Sequence, residues 1–204
     1  MKWRILAALA LAELLGLSLW FSASAVTPAL AAEWELSAAA QAWLTMSVQI
    51  GFVCGALVSA LLNIPDLFNA RRVFAVSALG GAACNGAIPA WVDEPAGALV
   101  LRFFTGFFLA GVYPPGMKIV ATWFREGRGL AIGTVVGALT LGSASPHLLK
   151  VLGSPDWRQL MYTASAASVG AALICAAMVR DGPHAATGAR FNWRYAGQAF
   201  GNRG

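Results

Sequence analysis

Two ionisable side chains, Glu13 and Arg102, fall inside long apolar runs and are the residues of this sequence best placed to do chemistry. An ionised group at the centre of a bilayer costs about 2.5 to 3.5 kcal/mol even on the scale taken from insertion experiments, so such groups mark functional sites by default. Glu13 is expected about eight residues, or roughly 12 Å, from the inner edge of its helix. A carboxyl at that depth can exchange a proton near neutral pH, the property that coupling to a proton gradient needs. Its plain structural alternative is a neutral carboxyl hydrogen-bonded to a neighbouring helix. Arg102 keeps its proton, so it needs a counter-charge, an anionic substrate or water, and snorkelling to the outer interface is its structural alternative. It is expected only about 6 Å below the outer edge of its helix, some 10 Å above Glu13 in a core of roughly 30 Å, so no direct Glu13 to Arg102 pair is expected. The uncharged groups Trp20, Ser22, Gln49 and Asn85 fall near mid-membrane, where they can line a substrate path or tie helices together.

Enzymatic chemistry finds little support. Ser143, Ser145 and His147 form the one apparent nucleophile-and-base cluster, but the histidine shares a helix with the serines instead of facing them from another. No glycine-rich phosphate loop precedes a lysine, which disfavours an ATP-driven pump. Cys54, Cys84 and Cys175 lie in apolar runs without metal-ligand spacing and read as packing residues. The expectation is no enzyme, no cofactor and no metal.

The elements that must position these residues follow from composition. Of 204 residues 58% are apolar, while 14 Lys or Arg and 9 Asp or Glu carry all the charge, far less than a soluble domain needs to cover its core. Six stretches are long enough to span a bilayer: Ile5 to Val26, Ala39 to Leu62, Val73 to Trp91, Ala98 to Met117, Leu130 to Leu149 and Leu160 to Val179. The connections are too short for a globular domain. One end of the spans gathers Lys2, Arg4, Arg71, Arg72, Lys118, Arg125, Arg128, Arg180, Arg190, Arg194 and Arg203, the other only Lys150 and Arg158. By the positive-inside rule both termini are cytoplasmic, in a multi-pass protein of the plasma membrane, the inner membrane of a bacterium. The same bias explains the net charge of +5 without nucleic acid. Trp34, Trp91 and Trp157 fall at outer span ends, and Trp3 and Trp123 at inner ends, as interfacial anchors do. The first span starts as a signal peptide would, but it is too long and is interrupted by Glu13. Pro114 and Pro115 must break backbone bonding near the inner end of the fourth span, as a bend or as a helix end.

The second span carries Ile50-Gly-Phe-Val-Cys-Gly-Ala-Leu57 and the fifth Ile132-Gly-Thr-Val-Val-Gly-Ala-Leu139, six of eight identical at an offset of 82 residues, each followed by a proline, Pro65 and Pro146. Gly51, Gly55, Gly133 and Gly137 are thereby expected to pack helices. Since the second and fifth spans run in opposite directions, the pattern implies two inverted three-helix repeats, an arrangement used by secondary transporters.

Further residues resemble the major facilitator superfamily. The loop Asp66-Leu-Phe-Asn69-Ala-Arg71-Arg72 is similar to its signature loop, with Asn69 in place of a glycine; Asn tolerates the left-handed backbone. Leu101-Arg102-Phe-Phe-Thr-Gly106 resembles the family's arginine-then-glycine pattern, and Gly133, Gly137, Gly142 and Pro146 its glycine-rich fifth helix. The resemblance implies an all-α membrane protein, a six-transmembrane-helix bundle equal to half of that fold, over residues 1–180, with 181–204 a basic cytoplasmic linker or tail. It implies a secondary active transporter half that moves a small solute, an organic or inorganic anion among the candidates, by alternating access and with proton coupling. Asp66, Asn69, Arg71 and Arg72 would form the cytoplasmic gating loop, and Glu13, Arg102, Trp20, Gln49 and Asn85 the proton and substrate path. Its partners would be that solute, the lipid bilayer, and a missing C-terminal half or a second copy. The alternative is a membrane scaffold or assembly protein that does not transport, which has no reason to hold Glu13 and Arg102 in lipid.

Overall fold

A computed structural model describes residues 1–153 and 156–185, without the side chains of Pro65 and residues 143–153. Ser143, Ser145, His147 and Lys150, as side chains, and the tail basic residues from Arg190 on lie outside what is described. Eight helices follow in order: α1 (Lys2–Glu33), α2 (Ala38–Leu61), α3 (Ile64–Leu67), α4 (Ala70–Trp91), α5 (Pro95–Leu109), α6 (Tyr113–Trp123), α7 (Arg128–Gly153) and α8 (Trp157–Met178). Among the described residues there is no strand. Among the described residues five segments are long and apolar enough to cross a membrane: α1, α2, α4, α8, and α5 with α6 taken together. The sixth expected span corresponds to α7, apolar over Arg128–Gly142.

Local chemistry sets the helix ends. Ser37 caps α2 by accepting from the Ala40 amide at 3.2 Å. Pro95 opens α5, where a missing N–H costs nothing. The fourth span is two helices because Pro114 and Pro115 have no N–H to offer the carbonyls of Ala110 and Gly111. The chain tightens there instead, with Gly111 N–H donating to Phe108 O at 2.8 Å and Val112 N–H to Leu109 O at 3.0 Å. Both prolines then sit harmlessly in the first turn of α6.

The packing has an internal two-fold pattern. α2 packs along α5 as α7 packs along α1; α1 packs on α8 as the fourth span packs on α4; and α4 crosses α8 between them. Exchanging spans one, two and three with four, five and six maps this pattern onto itself, as two inverted three-helix units require.

The glycines, however, are not in the register the sequence repeat suggests. A β-carbon on Gly51 would collide with the Phe103 carbonyl, one on Gly55 with the Phe107 carbonyl, and one on Gly106 with the Val48 carbonyl, so α2 and α5 touch backbone to backbone. Gly133 and Gly137 have nothing within 4 Å and lie on an exposed face of α7, which corrects the expectation that they pack helices here. The residue of α7 that meets α1 is Gly142, whose β-carbon would press on the Leu14 carbonyl. The inward residues Leu44, Val48, Gly51 and Gly55 match Ala131, Val135, Ala138 and Gly142 at an offset of 87 residues. A shift of five residues turns a helix by about 140°, so the matching octets face different surroundings.

Of the five segments, α1 is the most enclosed and α2 the least. Large apolar side chains such as Leu57, Leu61, Val76, Leu130 and Leu173 are turned outward, where lipid receives them. Lys2, Asp66, Arg71, Lys118 and Arg180 collect at one end of the bundle, called the basic end below; Glu33, Trp91 and Trp157 mark the far end. At the far end Trp157 Nε1 donates to Glu33 at 2.6 Å, Arg158 pairs with the same carboxylate at 2.7 Å, and Trp34 meets Trp157 edge to face.

Candidate functional site

A cavity of about 560 Å³ opens between α1, α2, α6 and α7. α1 supplies Leu17, Trp20 and Phe21, α2 supplies Gln49 and Phe52, α6 supplies Tyr113, and α7 supplies Leu139 and Thr140. Trp20 and Phe52 meet edge to face at 5.0 Å, which fixes the wall between α1 and α2. Of the expected path residues, Trp20 and Gln49 are here. Phe52 and Tyr113 were not expected, although Gln49 and Phe52, three apart on α2, share a helix face and could have been paired from the sequence.

Glu13 lies on the same face of α1 as Leu17 and Trp20, four and seven residues earlier, which puts it roughly 6 Å below the cavity. Its side chain is fully buried, with one oxygen packed against Gly116 of α6; a β-carbon there would overlap it. Neither carboxyl oxygen has a hydrogen-bond partner among the described residues, so the expected structural alternative, a carboxyl bonded to a neighbouring helix, is absent. Buried polar atoms are bonded in the great majority of cases, and each exception asks for an explanation.

Arg102 is 1% exposed, so it does not snorkel to an interface. The reason is that α5 starts at Pro95, a turn before the expected boundary, and carries Arg102 deeper. Its guanidinium donates to the backbone carbonyls of Leu19 at 2.9 Å and Trp20 at 2.8 Å, and more loosely to Asn85 Oδ1 at 3.3 Å. Asn85 in turn accepts from Ser22 Oγ at 2.9 Å and donates to Met161 O and Ser165 Oγ, each at 3.0 Å. One buried network thus ties α1, α4, α5 and α8. It meets the demand for a counter-charge with carbonyl dipoles, leaves Arg102 Nε alone unpartnered, and turns Arg102 and Asn85 away from the cavity. Ser165 had no signal in the sequence beyond being one small polar residue among many.

At the basic end the loop 63–72 is anchored at three points. Asp66 pairs with Lys118 of α6 at 2.7 Å. Arg71 donates to Val179 O at 2.8 Å, just past the C-terminus of α8, where a cation meets the negative end of the helix dipole. Asn69 Nδ2 donates to Asp181 at 2.6 Å, with Arg71 Nε 3.9 Å from the same carboxylate. Asn69 is not left-handed as expected: it is extended, with φ −62°, because it caps α4, Oδ1 accepting from Arg71 N–H at 3.0 Å. The left-handed residue is Asn63, φ 52°, which turns the chain into α3. Residues 182–184, just beyond α8, lie back on the bundle, Gly182 N–H donating to Thr122 Oγ1 and His184 N–H to Thr122 O.

Comparison with known proteins agrees with this geometry. The family model described as Major Facilitator Superfamily matches residues 9–200. No curated protein matches the chain. Among solved structures it is similar to the crystal structure of a bacterial homolog to human lysosomal transporter, Spinster, in an inward-facing and unoccupied conformation, with TM-score 0.71 and 16% identity over 94% of this chain and 46% of that one. This chain thus spans about half the length of that structure.

Proposed function

The chain belongs to the major facilitator superfamily, and from that premise we propose that it forms one six-helix half of a secondary transporter that moves a small solute by alternating access, coupled to protons through Glu13. Membership makes it a multi-pass membrane protein of a transporter family. The observation that carries the proposal is the Glu13 carboxyl in the first span, wholly buried and without a hydrogen-bond partner among the described residues, about one helical turn below a cavity. A group held only for packing would not be an orphaned carboxyl.

In this reading the cavity is the chain's share of the solute path, and the rest comes from a second six-helix half or a second copy. Its described walls carry no charged side chain, so an anionic solute would draw its counter-charge from the other half. The basic end faces the cytoplasm of a bacterial cell, and the loop from Asp66 to Arg72 gates that side.

The test is Glu13→Gln in the complete two-half transporter, reconstituted in proteoliposomes. Accumulation driven by a proton gradient is lost, while exchange of solute down its own gradient continues, because exchange needs no net proton movement. Proton-driven accumulation that survives the substitution ends the coupling proposal.

A further inference from the structure

A second opening, about 350 Å³, lies on the outer side of the bundle between α2, α4 and α5, toward the basic end. Its walls are almost wholly apolar, with Phe107, Phe108 and Val76 among them. Val76 is 65% exposed and Phe68, beside the same groove, 61%. Such a surface is suited to hydrocarbon and costs free energy in water.

The polar atoms of the groove are few. Arg72 is its one charged residue, exposed, and its guanidinium has no hydrogen bond or ion pair among the described residues. Its neighbour Arg71 is already held by Val179 O and Asp181, so the adjacent arginines divide: one faces the protein and the other stands free. Ser59 and Ser77 also line the groove, and their hydroxyls make no hydrogen bond among the described residues, whereas Ser18, Ser22, Ser47 and Ser165 each donate to a carbonyl of their own helix.

We propose that this groove binds an anionic phospholipid, with an acyl chain along the Phe107 and Phe108 wall and the phosphate paired by Arg72. Charge complementarity selects this occupant. A basic residue at the interfacial end of an apolar groove between membrane helices matches a molecule that is anionic at one end and hydrocarbon at the other. A purely apolar covering, such as a helix of the second half, would leave Arg72 with no counter-charge. The inference goes beyond the transport reading and needs only the membrane placement.

The experiment uses the whole chain purified in neutral detergent. Dioleoylphosphatidylglycerol should raise its unfolding temperature more than dioleoylphosphatidylcholine at equal concentration, and native mass spectrometry should show one retained phosphatidylglycerol. Arg72→Gln should weaken that binding about fivefold, the share expected of one basic residue near an anionic lipid surface. Arg125→Gln, which removes an exposed charge outside the groove, should leave it unchanged. Val76→Trp, filling the groove from its rim, should expel the lipid while helix content by circular dichroism stays the same. Equal binding of the two lipids would mark the groove as a plain apolar contact for the second half and overturn the proposal. It is equally overturned by an Arg72→Gln variant that binds normally, by equal losses in the Arg72 and Arg125 variants, or by inorganic phosphate alone reproducing the stabilisation.

Discussion

Asn85→Leu separates the amide from the charge as the group that joins the helices. The substitution keeps the side-chain size and removes four hydrogen bonds: those from Ser22 and Arg102 to Oδ1, and those from Nδ2 to Met161 O and Ser165. Ser22 still has Leu19 O, Ser165 still has Met161 O, and Arg102 keeps both backbone carbonyls, so no partner is stranded. The cost is therefore that of the bonds themselves. Side-chain hydrogen bonds between membrane helices average about 0.6 kcal/mol and rarely exceed about 1.7, so four amount to roughly 2 to 3 kcal/mol. Arg102→Met removes three bonds, but it also removes a buried cation whose Nε has no acceptor, and it leaves Asn85 with its three other partners. Replacing a buried charge by an apolar chain of similar length is often neutral, so a cost under about 1 kcal/mol is expected. Equilibrium unfolding in mixed micelles by titration with sodium dodecyl sulfate, followed by circular dichroism, measures both. If Arg102→Met destabilises more than Asn85→Leu, the charge and not the amide holds the four helices, and the reasoning fails.

The remaining predictions concern packing, gating and topology. Gly51→Ala, which drives a methyl into the Phe103 carbonyl, should cost about 1 to 3 kcal/mol in the same titration, whereas Gly133→Ala, in open space, should be neutral or gain up to about 1 kcal/mol from helix propensity. Asp66→Asn breaks a half-exposed pair worth under about 1 kcal/mol, so membrane insertion should persist while transport by the complete protein falls; unchanged rates would reduce the loop to an anchor. Tags at residues 1 and 204 should both resist protease added outside intact cells, and cleavage of either would reverse the proposed orientation.

The spans were legible because bilayer thickness writes itself into the length of apolar runs, and the break before Pro114 because proline lacks a donor. The inverted repeat was legible in kind but not in register. Glycine and alanine recur so often in membrane helices that Ile50 to Leu57 and Ile132 to Leu139 align by sequence while the packed faces align five residues further on. Glu13 stood out as a lone acid, yet the space its carboxyl occupies is left by Gly116, more than a hundred residues away. Arg102 misled because its depth was counted from the apolar boundary at Ala98, and the helix begins at Pro95. The partner of Asn69 and Arg71, Asp181, follows the last span and pairs with them only once α8 ends beside the start of α4.

The enclosure of α1 bears on how the protein is made. Its main neighbours are α8 and α7, which start more than a hundred residues after it does, and α2, next in the chain, covers far less of it. At 5 to 20 residues per second, roughly ten to thirty seconds separate synthesis of the first helix from that of the eighth. For that interval the nascent first span lies in or beside the bilayer with Glu13 uncovered and the Leu19 and Trp20 carbonyls awaiting Arg102. The first span is therefore enclosed only when α7 and α8, far later in the chain, come to pack on it.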